Sequence, residues 1–168
     1  MDEITKLSMT ISKPKQSVSG KLREICSTLH KLVPQANRVS LWSLNSTKDR
    51  IDCHLLIDKD GNVSQGFSLS KNDFPQYFDA IIKHQVVNAC DARNNVATAC
   101  FNKSYFEPND IHSLLDYIIH HDFEPVGIIC CEATGAVVEW QDSHINALKR
   151  VANISSIFFA SDLQNLAS

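Results

Sequence analysis

Apolar residues are densest in two short runs, 114–119 and 126–131, joined by the polar link 120–125. Each run is rich in Ile and Leu and too short to be a lone helix. Both end in turn-forming residues, so the pattern predicts an antiparallel hairpin. With Asp122 and Phe123 as a two-residue loop, His121 pairs with Glu124, Leu115 with Cys130 and Asp116 with Ile129. Strands apolar at consecutive positions are covered on both faces, which puts this hairpin at the centre of a sheet. Asp116 is the one charged residue within the two runs.

The rest of the chain is organised around that pair. Residues 1–18 are polar and mixed, and read as a loosely ordered, flexible lead. Leu22, Ile25, Cys26, Leu29, Leu32 and Val33 fall on one helical face, capped by Ser17 or Ser19 and stopped by Pro34. Residues 38–44 form a strand apolar on both faces. Residues 50–58 alternate, with Ile51, Cys53, Leu55 and Ile57 inward and Asp52, His54 and Asp58 outward. Asp60-Gly61 turns the chain into a third short strand over 63–69. Asn72 or Asp73 caps a second helix that carries Phe74, Phe78, Ile81 and Ile82. A short strand over 86–92 ends near Asp91.

Residues 91–111 have no clean period and mix polar groups with Val96, Phe101, Tyr105 and Phe106. A stretch of about 20 residues without an element is unusual in a compact domain and reads as a functional cover. After the hairpin, Asp142 caps a last helix reaching about residue 166, or ~37 Å. Ile145, Leu148, Ala152, Ser155, Phe159 and Leu163 make its main stripe, and Val151, Ile154, Ile157 and Phe158 broaden it. The class is α+β with a mostly antiparallel sheet.

Composition narrows the function classes. The 168 residues fit one domain, spanning 19–166 after the lead, and the net charge is −3. No basic run exceeds two residues, which argues against a nucleic-acid surface. No stretch of ~18 apolar residues exists, so no membrane span is expected, and the polar N-terminus is no secretory signal. The expected compartment is the cytoplasm. The six cysteines contain no CxxC and read as small buried hydrophobes rather than a metal or redox set. His120-His121 and Cys130-Cys131 lie ~20 Å apart at strand rise in the expected register, too far to share one ion. A buried, unpaired Asp116 is costly. Its expected role is to accept backbone N–H groups of the cover, the alternative being a ligand's donor. Glu132 reads as a solvated strand end, and Trp42 and Trp140 as core or helix anchors.

Several stretches carry a family resemblance: RVSLWSLN, DGNVSQGFSLSKNDFPQYFDAI, the Asp91-Ala92 pair, FNKSYFEPNDIHSLLDYII and PVGIICCEATGAVVEWQDSHINALKRVANISSIF. Together, over residues 21–163, they resemble a GAF domain of the kind placed before bacterial sensor histidine kinases and diguanylate cyclases. The resemblance implies a five- or six-stranded sheet with terminal helices on one face and a pocket cover on the other. It implies a non-enzymatic sensory or regulatory module that binds a small cytosolic ligand and relays the signal to an output domain or partner. No cofactor is identified. Candidate lining residues are Trp42, Cys53, Phe67, Tyr77, Ile81, Asp91, Tyr105, Asp116, Ile118 and Cys130. The broad apolar surface of the terminal helices, Ile154 and Phe158 included, predicts a homodimer. Two alternatives stand beside this reading. One is an enzyme resembling the free methionine sulfoxide reductases, using Cys90 and Cys100; the other is a dimerisation module without a ligand.

Overall fold

In the computed structural model all 168 residues are described, and the first of them correct an expectation. Instead of a loose lead, Glu3–Ile11 form helix α1, capped by Asp2, whose Oδ1 accepts from the Thr5 N–H at 2.7 Å. Ile4, Leu7 and Ile11 recur at helical spacing and are buried. Their stripe packs on α2, Val18–Leu32, and on α4, Asp142–Phe158. Part of the apolar surface that suggested a second copy is therefore covered from within the chain. Ile154 and Phe158 are both partly buried against this core, while Ile157 stays 72% exposed.

Seven antiparallel strands follow: β1 Arg38–Leu44, β2 Arg50–Asp58, β3 Val63–Ser64, β4 Ser68–Ser70, β5 Val86–Ala89, β6 Ile111–His121 and β7 Glu124–Thr134. Their order is β3-β2-β1-β7-β6-β5, with β4 also beside β2, so the expected hairpin does lie inside the sheet. The single third strand is two pieces, because Gly66 takes a φ of +90° between them. Helix α3, Pro75–His84, starts on a proline with Phe74 at its cap position and no side-chain cap, in place of Asn72 or Asp73. Helices α1, α2, α4 and α5 (Ala160–Leu166) build one core on the first sheet face. On the opposite face α3 and residues 92–106 build the other.

Three bulges, at His54, His112 and Val126, interrupt the ladders and set which side chains reach which face. In β2, Leu41 pairs with Leu55 but Trp42 pairs with Cys53, leaving His54 as the extra residue. The alternation flips there: Cys53 and Leu56 join the cover-side core, Leu55 and Ile57 the helix-side core. The His54 ring bonds Ser43 Oγ at 2.7 Å. In the hairpin, Asp122 and Phe123 both take positive φ and close the expected two-residue turn. Val126 is then the extra residue beside Pro125, which has no N–H for the ladder. The register moves by one, so Leu115 faces Cys131 and Asp116 faces Cys130, not Cys130 and Ile129. That slip puts Asp116 on the same face as Glu132.

The last helix is not continuous. It breaks at Phe159, with a φ of −134°, which lets Phe159, Ala160 and Leu163 all reach the core. Its cap is Gln141 rather than Asp142, in a reciprocal pair with His144. Leu163 comes so close to β7 that a Cβ on Gly127 would lie 2.7 Å from Leu163 Cδ1 and from the Trp42 carbonyl oxygen. Trp140, ahead of α4, is buried and donates its Nε1–H to the Leu114 carbonyl at 3.1 Å.

Candidate functional site

The cover is built by local bonds that substitute for a regular element. Short 3₁₀ turns at Ala92–Asn94 and Ala99–Phe101 lead into one π turn at Asn102–Phe106. Thr98 Oγ1 donates to the Ala92 carbonyl at 2.6 Å, and Asn102 Nδ2 to the Arg93 carbonyl at 2.9 Å. Arg93 Nε ties the segment to the start of β6 through the Ile111 carbonyl at 2.9 Å. Phe101 and Phe106 are buried beneath it, whereas Val96 points to solvent. The Phe101 ring centroid sits 4.5 Å from Phe74, 5.0 Å from Tyr77 and 6.0 Å from Tyr105. π turns are rare, and where they occur they are frequently at functional sites.

Opposite this aromatic layer the sheet presents charge. Arg38 and Glu132 are register partners on β1 and β7, and Arg38 Nε donates to Glu132 Oε1 at 3.0 Å. Glu132 is 1% exposed, so the expectation of a solvated strand end is wrong. Tyr105 joins the pair: its hydroxyl donates to Glu132 Oε1 at 3.2 Å and accepts from Arg38 Nη2 at 3.3 Å. The Arg38 Cζ lies 5.8 Å above the Tyr105 ring centroid, and Nη1 reaches Asn109 Oδ1 at 3.5 Å. Burial works against the Arg38 charge, but Glu132 and Tyr105 beside it hold its pKa above the ordinary value. This cluster latches the π turn to the sheet.

Asp116 is the second buried acid, 3% exposed. Its Oδ2 accepts from the Tyr77 hydroxyl on α3, not from backbone N–H groups of the cover. Burial pushes its pKa up to about 8; Cys130 and Tyr77 pull it back and nearby Glu132 raises it further. Burial also lifts Tyr77, Tyr105 and Cys130 well above their usual ranges. One oxygen of each acid, Asp116 Oδ1 and Glu132 Oε2, is buried without a hydrogen-bond partner. Such acceptors are rare in folded proteins and call for a donor.

Both acids line a cavity of about 20 Å³, enough for a single water-sized group. Of the ten candidates, Trp42, Tyr77, Tyr105, Asp116 and Cys130 line it. Cys53 and Ile81 are buried in the same core without reaching it, and Ile118 is buried outside it. Phe67 is 44% exposed and contributes only its carbonyl, to the Cys53 N–H. Asp91 is exposed and accepts from Asn94 Nδ2. The remaining walls, which the sequence reading missed, are Ile51, Leu69, Phe101, Leu114 and Glu132. Phe101 was legible as an apolar residue of the cover; Glu132 needed the knowledge that Arg38 would be its neighbour. A wider surface cleft of about 560 Å³ lies elsewhere, between the β1–β2 loop, the hairpin and the C-terminal residues, and its one acid–base pair, Lys48 with Glu124, is solvent-facing.

The cysteine pair offered by the sequence is split between the two cores. Cys90 packs on the helix side and accepts the Trp140 N–H at 3.4 Å, while Cys100 packs on the cover side. Burial raises the pKa of the Cys100 thiol, as it does for Cys26, Cys53, Cys130 and Cys131, which disfavours the thiolate that redox chemistry needs. His, Cys, Asp and Glu side chains form no group of three able to hold a metal ion, and no helix is long and apolar enough to cross a membrane.

Residues 20–157 match the family model of the GAF domain. The fold is similar to the phycoerythrobilin-bound GAF domain of a cyanobacterial phytochrome, at 11% identity and a TM-score of 0.76, covering 99% of this chain and 97% of that one. It is similar to the GAF domain of a two-component sensor histidine kinase from Bacillus halodurans (16% identity, TM-score 0.67, 91% and 99% covered). A third likeness is to free methionine-R-sulfoxide reductase from Neisseria meningitidis in complex with its substrate (11% identity, TM-score 0.67, 98% and 89% covered). None of the curated proteins matches this sequence.

Proposed function

We propose, on the premise that this chain belongs to the GAF domain family, that it is a non-enzymatic sensory module. It binds a small cytosolic ligand between sheet and cover and passes the signal through its terminal helices, as a homodimer, to an output domain or partner. A histidine kinase or diguanylate cyclase is the output class in view. The observation that carries the reading is the pair of buried, unpartnered carboxylate oxygens under an irregular cover. Related folds in a bilin-bound phytochrome domain and a sensor histidine kinase support the sensory class.

The mechanism follows from the small cavity. Any ligand larger than water must push Tyr105 and Phe101 outward, and Tyr105 is tied to Arg38 and Glu132. Binding is thus coupled to movement of the cover, which runs directly into β6. Strand β6 packs on α4, and the His120 N–H donates to Ser156 Oγ at 3.3 Å. A ligand that favours one cover position shifts α4 by the same differential affinity. Ile157 is the exposed apolar residue of α4 left for a partner helix.

A filled cavity also favours a second reading, a dimerisation module without a ligand. The reductase alternative has a structural neighbour, but Cys90 and Cys100 pack in different layers. Native mass spectrometry of the chain purified from cells separates these readings, because it reports copy number and bound mass together. The expected result is a dimer carrying one small molecule per chain. A dimer of bare chains would favour the second reading, and a bare monomer would overturn both.

A further inference from the structure

We propose that the cavity takes an organic ammonium, its N–H head held between Asp116 and Glu132 and its apolar body against Trp42, Tyr77, Phe101 and Tyr105. The inference rests on the ligand-site reading above and gives that site a chemical class. Asp116 pairs with Cys130, and Glu132 is two residues further along β7 on the same face. Diagonal positions of this kind hold their Cβ atoms about 7 Å apart, close enough for two carboxylates to share one three-donor head. Each acid has already committed one oxygen, Asp116 to Tyr77 and Glu132 to Arg38 and Tyr105. Each keeps one oxygen without a partner, and once Asp116 is ionised both are acceptors that suit a cation's N–H groups.

Charge balance selects a monocation. Arg38 neutralises Glu132, so an ionised Asp116 leaves one negative charge uncompensated in a buried site. Aromatic faces around the same space add attraction for an alkylammonium. The cavity of about 20 Å³ is the size of the head alone, so the body takes its place as Phe101 and Tyr105 swing outward.

Binding then trades a proton for the ligand. With its pKa pushed up to about 8 by burial, Asp116 holds a proton at neutral pH that the ammonium must displace. The groups that face it are Tyr77 from α3, Cys130 and Glu132 from β7, and behind Glu132, Arg38 from β1 and Tyr105 from the cover. Burial and nearby acids raise the two phenols and the thiol, while Glu132 and Tyr105 raise the guanidinium against its own burial, so all four keep their protons across this range. Affinity should rise by up to about tenfold per pH unit toward pH 8 and then level off.

The test titrates the full chain with 2-phenylethylammonium and with its neutral counterpart 2-phenylethanol, read by calorimetry and tryptophan fluorescence. The ammonium should bind at least about tenfold more tightly than the alcohol, the loss expected when a charged hydrogen bond is removed. Asp116→Asn should lower that affinity by a similar factor and abolish its pH dependence; Glu132→Gln gives a second, independent loss. Equal binding of both probes would overturn the ammonium class while leaving a ligand site in place. Ammonium affinity unchanged in both variants, or absent across a series from methylammonium upward, would also overturn it. In that last case bound mass in the native spectra decides the site reading separately.

Discussion

Asp116→Asn should flatten a fall in stability that the wild-type chain shows between about pH 4 and pH 8. Asp116 in the folded chain keeps its proton up to about 8, whereas an unfolded aspartate loses it near the ordinary 3.8. Between those values the folded state binds more protons than the unfolded one. Its stability therefore declines as pH rises, by up to about 1.4 kcal/mol per unit, and levels above pH 8. Burial lowers the pKa of His54 and His120, which works in the opposite direction below about pH 6.5. Subtracting wild type from variant removes their contribution. Asn keeps an acceptor for Tyr77 and carries no charge to bury, so the variant gains on wild type steadily as pH rises. Urea unfolding of both chains across this range reads the difference, and parallel curves would mean that Asp116 is not the buried acid described.

Arg38→Met should cost about 3–5 kcal/mol, the usual result of stranding one member of a buried ion pair. Glu132 would be left 1% exposed without its counter-charge, and Tyr105 would lose the guanidinium over its ring. The double variant Arg38→Met, Glu132→Leu should recover most of that loss, because the charge needing a partner is gone. Chemical denaturation of the two variants measures both numbers. A single variant within about 0.5 kcal/mol of wild type would show the pair to be a surface contact.

Much of this fold was legible because burial writes short periods into the sequence. The bounds of β1 follow from an apolar run and those of β2 from alternation, and Ser17, one of two serines that could cap α2, is its cap. What was missed is long-range or geometric. Helix α1 is nine residues long and mostly polar, and its stripe of Ile4, Leu7 and Ile11 has meaning only once α2 and α4 are beside it. The break at Phe159 carries no Gly or Pro to announce it. The bulges at His54 and His112 add a residue that no local rule requires, and only Pro125 hints at the one at Val126, yet each decides the face of the residues beyond it. The site shows the same division. Asp116 stands out in an apolar run, but Glu132 became part of the site only through Arg38 and Tyr105, which are distant in sequence.

Hydrogen exchange with and without the small-molecule fraction of a cell extract tests the sensory reading most directly. Backbone exchange should slow first across residues 91–111 and then in α4, with the β6–β7 core unchanged. Exchange that is identical across residues 91–111 in the two conditions, or that changes only in α1, would contradict it.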